Sequence, residues 1–149
     1  MWIINDEPKV YSSEEVRYMI EALPHKVFFI SGPTKSGKTP LIKSLQVQDK
    51  LIISSETFVE VIIEMCQNKE NTTIDGLMSA FDSYKLLCIE DSDINLGGRD
   101  VTQELISDFL KEYLEKGTAV FTGINLDKWL VTLIKLLDED KRLIFKSVE

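Results

Sequence analysis

Five short apolar runs recur along the chain with helix-length gaps between them: 26-KVFFIS-31, 50-KLIISS-55, 84-YKLLCIE-90, 118-TAVFTG-123 and 142-RLIFKS-147. Most are continuous rather than alternating, so both faces of the corresponding strands must be covered. The gaps supply that cover. Stretches at 38–46, 56–68, 73–82, 101–116 and 127–137 place apolar residues at helical spacing. In the second the inner residues are Phe58, Val59, Ile62 and Ile63. In the fourth they are Leu105, Ile106, Phe109, Leu110 and Leu114, with Asp100 or Thr102 as cap and Gly117 as stop. Trp129, Leu130, Ile134 and Leu137 form the core face of the last. Strands alternating with helices join by right-handed crossovers into a parallel sheet, so the expected fold is α/β.

One further helix precedes this series, in 12-SSEEVRYMIEAL-23. Ser12 or Ser13 caps it, Glu14 and Glu15 suit its first turn, and Pro24 ends it. No linker divides the chain. It reads as one domain over 1–149, with an N-terminal extension at 1–24 and a core at 25–147. The net charge of -8 and the presence of only three arginines, Arg17, Arg99 and Arg142, argue against broad attraction to nucleic acid. Local DNA contact stays open, without a basic helix to advertise it. No apolar run approaches a bilayer span, and the first residues lack the sections of a signal peptide. Cys66 and Cys88 read as buried thiols in a reducing compartment. The expectation is a cytoplasmic protein without membrane contact.

The residues that carry chemistry follow the first run. Gly32, Pro33, Thr34, Lys35, Ser36, Gly37, Lys38 and Thr39 match G-x-x-x-x-G-K-[ST], the Walker A pattern of a phosphate loop. Its glycines let backbone N–H groups point at phosphate oxygens, Lys38 supplies a positive charge, and the Thr39 hydroxyl can ligate Mg2+. The start of the following helix adds its dipole. Pro40 falls in the first turn, where its missing N–H has no intrahelical partner to lose. An acidic pair ends another apolar run in 86-LLCIED-91. One carboxylate of such a pair holds Mg2+, and its neighbour orients or deprotonates the attacking water. The candidates are Glu90 and Asp91, with Thr39 as the further metal ligand.

Four stretches together resemble the ATP-binding domain of the bacterial replication initiator DnaA and of the DnaC-type helicase loaders, which are AAA+ ATPases. They are 32-GPTKSGKTPLIKSL-45, 52-IISSETFV-59, 86-LLCIEDSDINLGGRDVTQEL-105 and 116-KGTAVFTG-123. The resemblance covers residues 25–147. It implies a P-loop NTPase fold of AAA+-like, RecA-type architecture: three α/β/α layers around a five-stranded parallel sheet in the order 5-1-4-3-2. It also implies ATP and Mg2+ as ligands, and a protein partner such as a replication initiator, a helicase or a second copy. The family's polar sensor residue corresponds to Thr122 or Asn125. The family usually has Asp where Glu90 stands. Counting back from Thr102 and Gln103 instead puts Asp91 at the metal position and Ser92 at the base position, so two registers stay open. No Arg-rich finger segment is recognisable around Arg142, and no C-terminal lid follows the sheet within these residues.

The expected function is therefore an ATP-binding module, slowly hydrolysing at most, in DNA replication or its regulation. Two alternatives are a non-enzymatic adaptor of the same fold that docks on a replication protein, and a small-molecule kinase. A kinase needs arginines to clamp two charged substrates, which weighs against the last. Trp2 either packs on an adenine ring or pins the terminus. His25 and Arg99 read as loop residues.

Overall fold

The computed structural model describes residues 1–68, 70, 72–96, 100–126 and 133–148, without the side chains of 94, 95 and 100–102. Arg99, Trp129, Leu130 and the cap expected from Asp100 or Thr102 lie outside the described residues. In chain order the elements are β1 (Trp2–Ile4), β2 (Val10–Tyr11), α1 (Ser13–Ala22), β3 (Val27–Ser31), α2 (Lys38–Ser44), β4 (Lys50–Ser54) and α3 (Ser55–Gln67). There follow α4 (Thr73–Phe81), β5 (Leu86–Glu90), a one-turn α5 (Ser92–Asn95), α6 (Asp100–Tyr113), β6 (Thr118–Gly123) and β7 (Arg142–Ser147). Residues 133–136 are also helical.

All the strands join one sheet in the order β2-β1-β7-β3-β6-β5-β4. Its five parallel strands coincide with the five apolar runs and, numbered among themselves in chain order, lie 5-1-4-3-2. The expected five-stranded parallel sheet is corrected to a mixed sheet of seven strands among the described residues. β1 pairs antiparallel with β7, Trp2 opposite Ser147 and Ile4 opposite Phe145, and β2 pairs antiparallel with β1. Asn5 and Asp6 then turn the chain with left-handed φ of 50° and 61°. The Asn5 side chain accepts from the Ile144 N–H at 3.0 Å, and the Asn5 N–H donates to the Ile144 carbonyl at 2.8 Å. These strands are three and two residues long, too short to show a period.

Side-chain alternation splits the core into two layers. On one face Phe28, Ile30, Leu86, Cys88 and Val120 pack against α1 and α2. On the other, Phe29, Leu87, Ile89, Ala119 and Phe121 pack against α3, α4 and α6. There Phe58, Phe81, Phe109 and Tyr113 form a continuous aromatic group, with ring centroids 5.4–6.2 Å apart. α1 is held at its start by a reciprocal box. Ser12 Oγ accepts from the Glu15 N–H, and a Glu15 carboxylate oxygen accepts from the Ser12 N–H, both at 3.1 Å. Among the described residues no helix is long and apolar enough to cross a membrane.

Trp2 takes the second of its two readings, and two other side chains stand elsewhere than their patterns suggest. Trp2 is fully buried, its indole N–H donating to Ser13 Oγ at 3.0 Å, so it anchors the terminus and offers no ring face to a nucleotide. Ile63 is 52% exposed. α3 covers the edge strand β4, and it encloses only the narrow stripe of Ser55, Phe58 and Ile62. Cys66, near the end of the same helix, is exposed, whereas Cys88 is buried in β5. Burial pushes the Cys88 thiol up to about 12, so no useful thiolate forms near neutrality. Native protein at pH 8 is therefore expected to take up one equivalent of a maleimide at Cys66 and the denatured chain two, as read by intact mass.

Candidate functional site

β3 is a central strand buried along its whole length, and it delivers the phosphate-loop sequence at its end. The Gly32 N–H donates to the Gly123 carbonyl at 3.1 Å, fastening the loop to the end of β6. A Cβ at Gly32 would stand 2.7 Å from Ser147 Cβ and 2.8 Å from Ser36 Oγ, so the loop root has no room for a side chain. Gly37 has φ +99°, a conformation that suits glycine, and α2 starts directly after it. Leu41 and Ile42 seat α2 against the sheet. Its far end is capped by Lys50, whose ammonium donates to the carbonyls of Ile42, Lys43 and Leu45 at 2.9–3.1 Å.

The loop borders an open cleft of about 240 Å³ lined by Thr34, Lys35, Gly37, Lys38, Thr39, Pro40, Asp91 and Ile124. Five of the eight loop residues thus face it. The Lys38 ammonium donates to the Gly32 carbonyl and, at 3.1 Å, to that of Pro33. Desolvation lowers its pKa below the usual lysine value, against the carboxylates of Asp93 and Asp91, which push it back up.

The acids reach the same place from β5. The Thr39 hydroxyl donates to Glu90 Oε1 at 2.8 Å. Asp91, exposed and with φ 57° and ψ 42°, turns the chain out of the strand. Its carbonyl accepts from the buried Ser55 hydroxyl at 2.6 Å, which helps hold this left-handed turn. Ser92 is buried, and its hydroxyl donates back to the Ile89 carbonyl at 3.1 Å. Asp91 thus lines the cleft and Glu90 touches it through Thr39, while the Ser92 hydroxyl faces the strand.

Thr122 lies on β6 paired with Ile30, on the α2-facing side of the sheet with Val120, Cys88 and Glu90. One step along the same ladder from the Ile89–Phe121 pair, it neighbours Glu90. Thr122 is buried and Asn125 exposed, and the cleft lining includes Ile124 but neither of them. Asp93 has a place that its sequence context did not suggest. Its Oδ2 accepts from the N–H groups of Ile124 and Asn125, 31 and 32 residues downstream, at 3.1 and 2.9 Å. Those partners are backbone groups, so no residue type marks the contact. Among the described residues no group of three or more His, Cys, Asp or Glu side chains is placed to enclose a metal. Thr39 and Glu90 nevertheless offer two adjacent oxygen donors with Asp91 alongside. This fits Mg2+, which takes few protein ligands and keeps waters and phosphate oxygens for the rest.

No family model matches the chain. Over 101 residues it is 28% identical to the chromosomal replication initiator protein DnaA of Mycoplasma pneumoniae, covering 62% of this chain and 23% of that protein. Among solved structures, domain III of the Thermotoga maritima replication initiation protein DnaA aligns with a TM-score of 0.63 at 20% identity, covering 81% of this chain and 55% of that one. A replication initiator DnaA bound to AMPPCP and single-stranded DNA aligns at 0.61 and 19% identity, covering 85% and 44%. DnaI aligns at 0.54 and 11% identity, covering 97% and 86%. The chain spans about a quarter of the curated relative's length and about half of these DnaA chains. By sequence and by fold, this protein resembles part of DnaA, and its fold is shared with DnaI.

Proposed function

We propose that the chain binds ATP with Mg2+ in the cleft between 32-GPTKSGKT-39 and the acids at 90–91, as a switch module in DNA replication or its regulation. The observation that carries this reading is the Thr39–Glu90 contact of 2.8 Å beside a loop cleft that Lys38 and Asp91 also line. In this reading Lys38 leaves the carbonyls of Gly32 and Pro33 and takes phosphate oxygens. Thr39 and Glu90 hold Mg2+, which when bound neutralises phosphate charge. Asp91 orients or deprotonates a water, and Thr122 or Asn125 responds to the γ-phosphate. The AMPPCP-bound DnaA neighbour supports a nucleotide in this fold. The deciding experiment is calorimetric titration of ATP into wild type and Lys38→Ala, and equal affinity in the two would sink the proposal.

Glu90 has its own test. Wild type is expected to bind ATP more tightly in Mg2+ than in EDTA, and Glu90→Gln to lose about tenfold of that gain with its charged ligand. A full Mg2+ gain in E90Q would remove Glu90 from the metal site.

A second reading, an adaptor that docks on a replication protein without turnover, is favoured by the arginines. Arg17 pairs with Glu21 at 3.7 Å and stacks on the Tyr18 ring. Arg142 begins β7, at the opposite end of that strand from Ser147 and the loop root. Among the described residues no arginine lines the cleft to stabilise transition-state charge. The same observation weighs against a small-molecule kinase. Partner-free ATP hydrolysis at about 1 s⁻¹ or faster, the range of ordinary enzymes, would overturn the adaptor reading.

A further inference from the structure

Asp93 is half-buried and lies two residues past the acid pair, in the single turn of α5. One of its carboxylate oxygens, Oδ2, gathers two consecutive backbone N–H groups, those of Ile124 and Asn125. The other, Oδ1, is buried and has no hydrogen-bond partner among the described residues. A carboxylate with one orphaned buried oxygen is costly to keep unless its other bonds are needed in place. Gly123 makes room for it, since a Cβ there would stand 2.7 Å from Oδ1 and 2.5 Å from Leu126 Cδ2. The loop is braced as well by Ser31, whose hydroxyl donates to the Ile124 carbonyl at 3.3 Å and accepts from the Leu126 N–H at 3.2 Å. Together Asp93 and Ser31 fix the backbone immediately after β6. That backbone carries Ile124, which lines the cleft, and it follows directly on Thr122 and Gly123, whose carbonyl anchors the phosphate loop.

From this geometry we infer that Asp93 is a positioning residue: it ties the acid turn after β5 to the loop after β6, and so fixes the groups that would read the γ-phosphate. The inference rests on the proposed ATP site. It assigns Asp93 no contact with nucleotide or metal. It predicts a specific pattern: contacts to the α- and β-phosphates, made by 32–39, survive loss of Asp93, while discrimination between ATP and ADP does not.

The test compares wild type, Asp93→Ala and Asp93→Asn for ATP and ADP affinity, alongside amide exchange of Ile124 and Asn125. A second route to the same contact is Gly123→Ala, which leaves the carboxylate in the chain and displaces it by its new Cβ. In D93A, exchange at Ile124 and Asn125 is expected to rise about tenfold or more, with Ala119–Phe121 unchanged. ADP affinity stays within about twofold, and the ATP-over-ADP preference falls about tenfold, the scale of one hydrogen bond to a charged group. D93N keeps one acceptor oxygen and is expected to retain most of the preference, whereas a residue acting through its charge alone would lose it in D93N as fully as in D93A. G123A should follow D93A, and it carries the measurement if D93A does not fold. Parallel weakening of ATP and ADP, an unchanged preference, or unaltered exchange at 124 and 125 would each overturn the inference. Wild type binding neither nucleotide would instead overturn the proposed site, and the role of Asp93 with it.

Discussion

Replacing Lys38 by alanine is expected to weaken ATP binding about 100-fold while leaving the chain folded, because an ammonium on phosphate oxygens makes charge-assisted hydrogen bonds of about 1.5–3 kcal/mol each. Its present partners, the carbonyls of Gly32 and Pro33, belong to the loop itself, so the cation already sits in the phosphate cradle. The fold gains little from it. Desolvation lowers its pKa, and the nearby carboxylates of Asp93 and Asp91 only partly offset this. A lysine whose folded pKa lies below its unfolded one binds protons less well when folded. Its penalty is fully present below the folded value and fades as pH rises through it toward the unfolded one. Alanine removes that penalty together with the cation. Thermal melts of K38A are therefore expected to match wild type or run slightly above it. A large loss of affinity without a loss of stability separates a binding role from a structural one, and a melt several degrees lower would mark Lys38 as part of the scaffold.

What could be read from sequence depended on whether each partner was local. The five parallel strands were legible because burial on both faces leaves continuous apolar runs, and the phosphate loop because its backbone turns need glycines at fixed spacing. The acid turn was only half legible. The apolar run of β5 ends at Ile89, which marks Glu90 as the residue leaving the strand, while the count back from Thr102 pointed one residue later. Thr39 meets Glu90 across 51 residues, and that contact is visible only in three dimensions. Asp93 was less legible still, since its partners are backbone N–H groups that any residue but proline supplies. On α3, helical spacing marked Ile63 as inner, but the stripe buried over an edge strand is narrower than the apolar arc of the sequence. In sequence the N-terminal residues show only a helix-bearing extension, for a related reason. Three residues cannot display a period, and the strand they pair with lies at the other end of the chain.

That last segment yields the second large effect: Trp2→Ala is expected to cost about 3–5 kcal/mol, the range for truncating a fully buried aromatic, and to lower the melting temperature by about 10 °C in a chain of this size. Trp2 has no exposed surface, and it sits on β1 between β2 and β7. Its indole N–H donates to Ser13 Oγ, where α1 begins, so one side chain joins the sheet edge to the first helix. Trp2→Phe separates the two contributions. It keeps most of the apolar contact and gives up one hydrogen bond of about 1 kcal/mol, so its melt should fall between wild type and W2A. The effect should extend to the site. Trp2 pairs with Ser147, and the Ser147 side chain, with that of Ser36, crowds the position where a Gly32 Cβ would lie. If β1 holds the end of β7 against the loop root, W2A should also weaken ATP binding at temperatures where it is fully folded, whereas W2F should not. A melting temperature within 2 °C of wild type, the shift of less than about 1 kcal/mol, would show that β1 is a dispensable edge, and the segment would revert to a tethered extension of the five-stranded core.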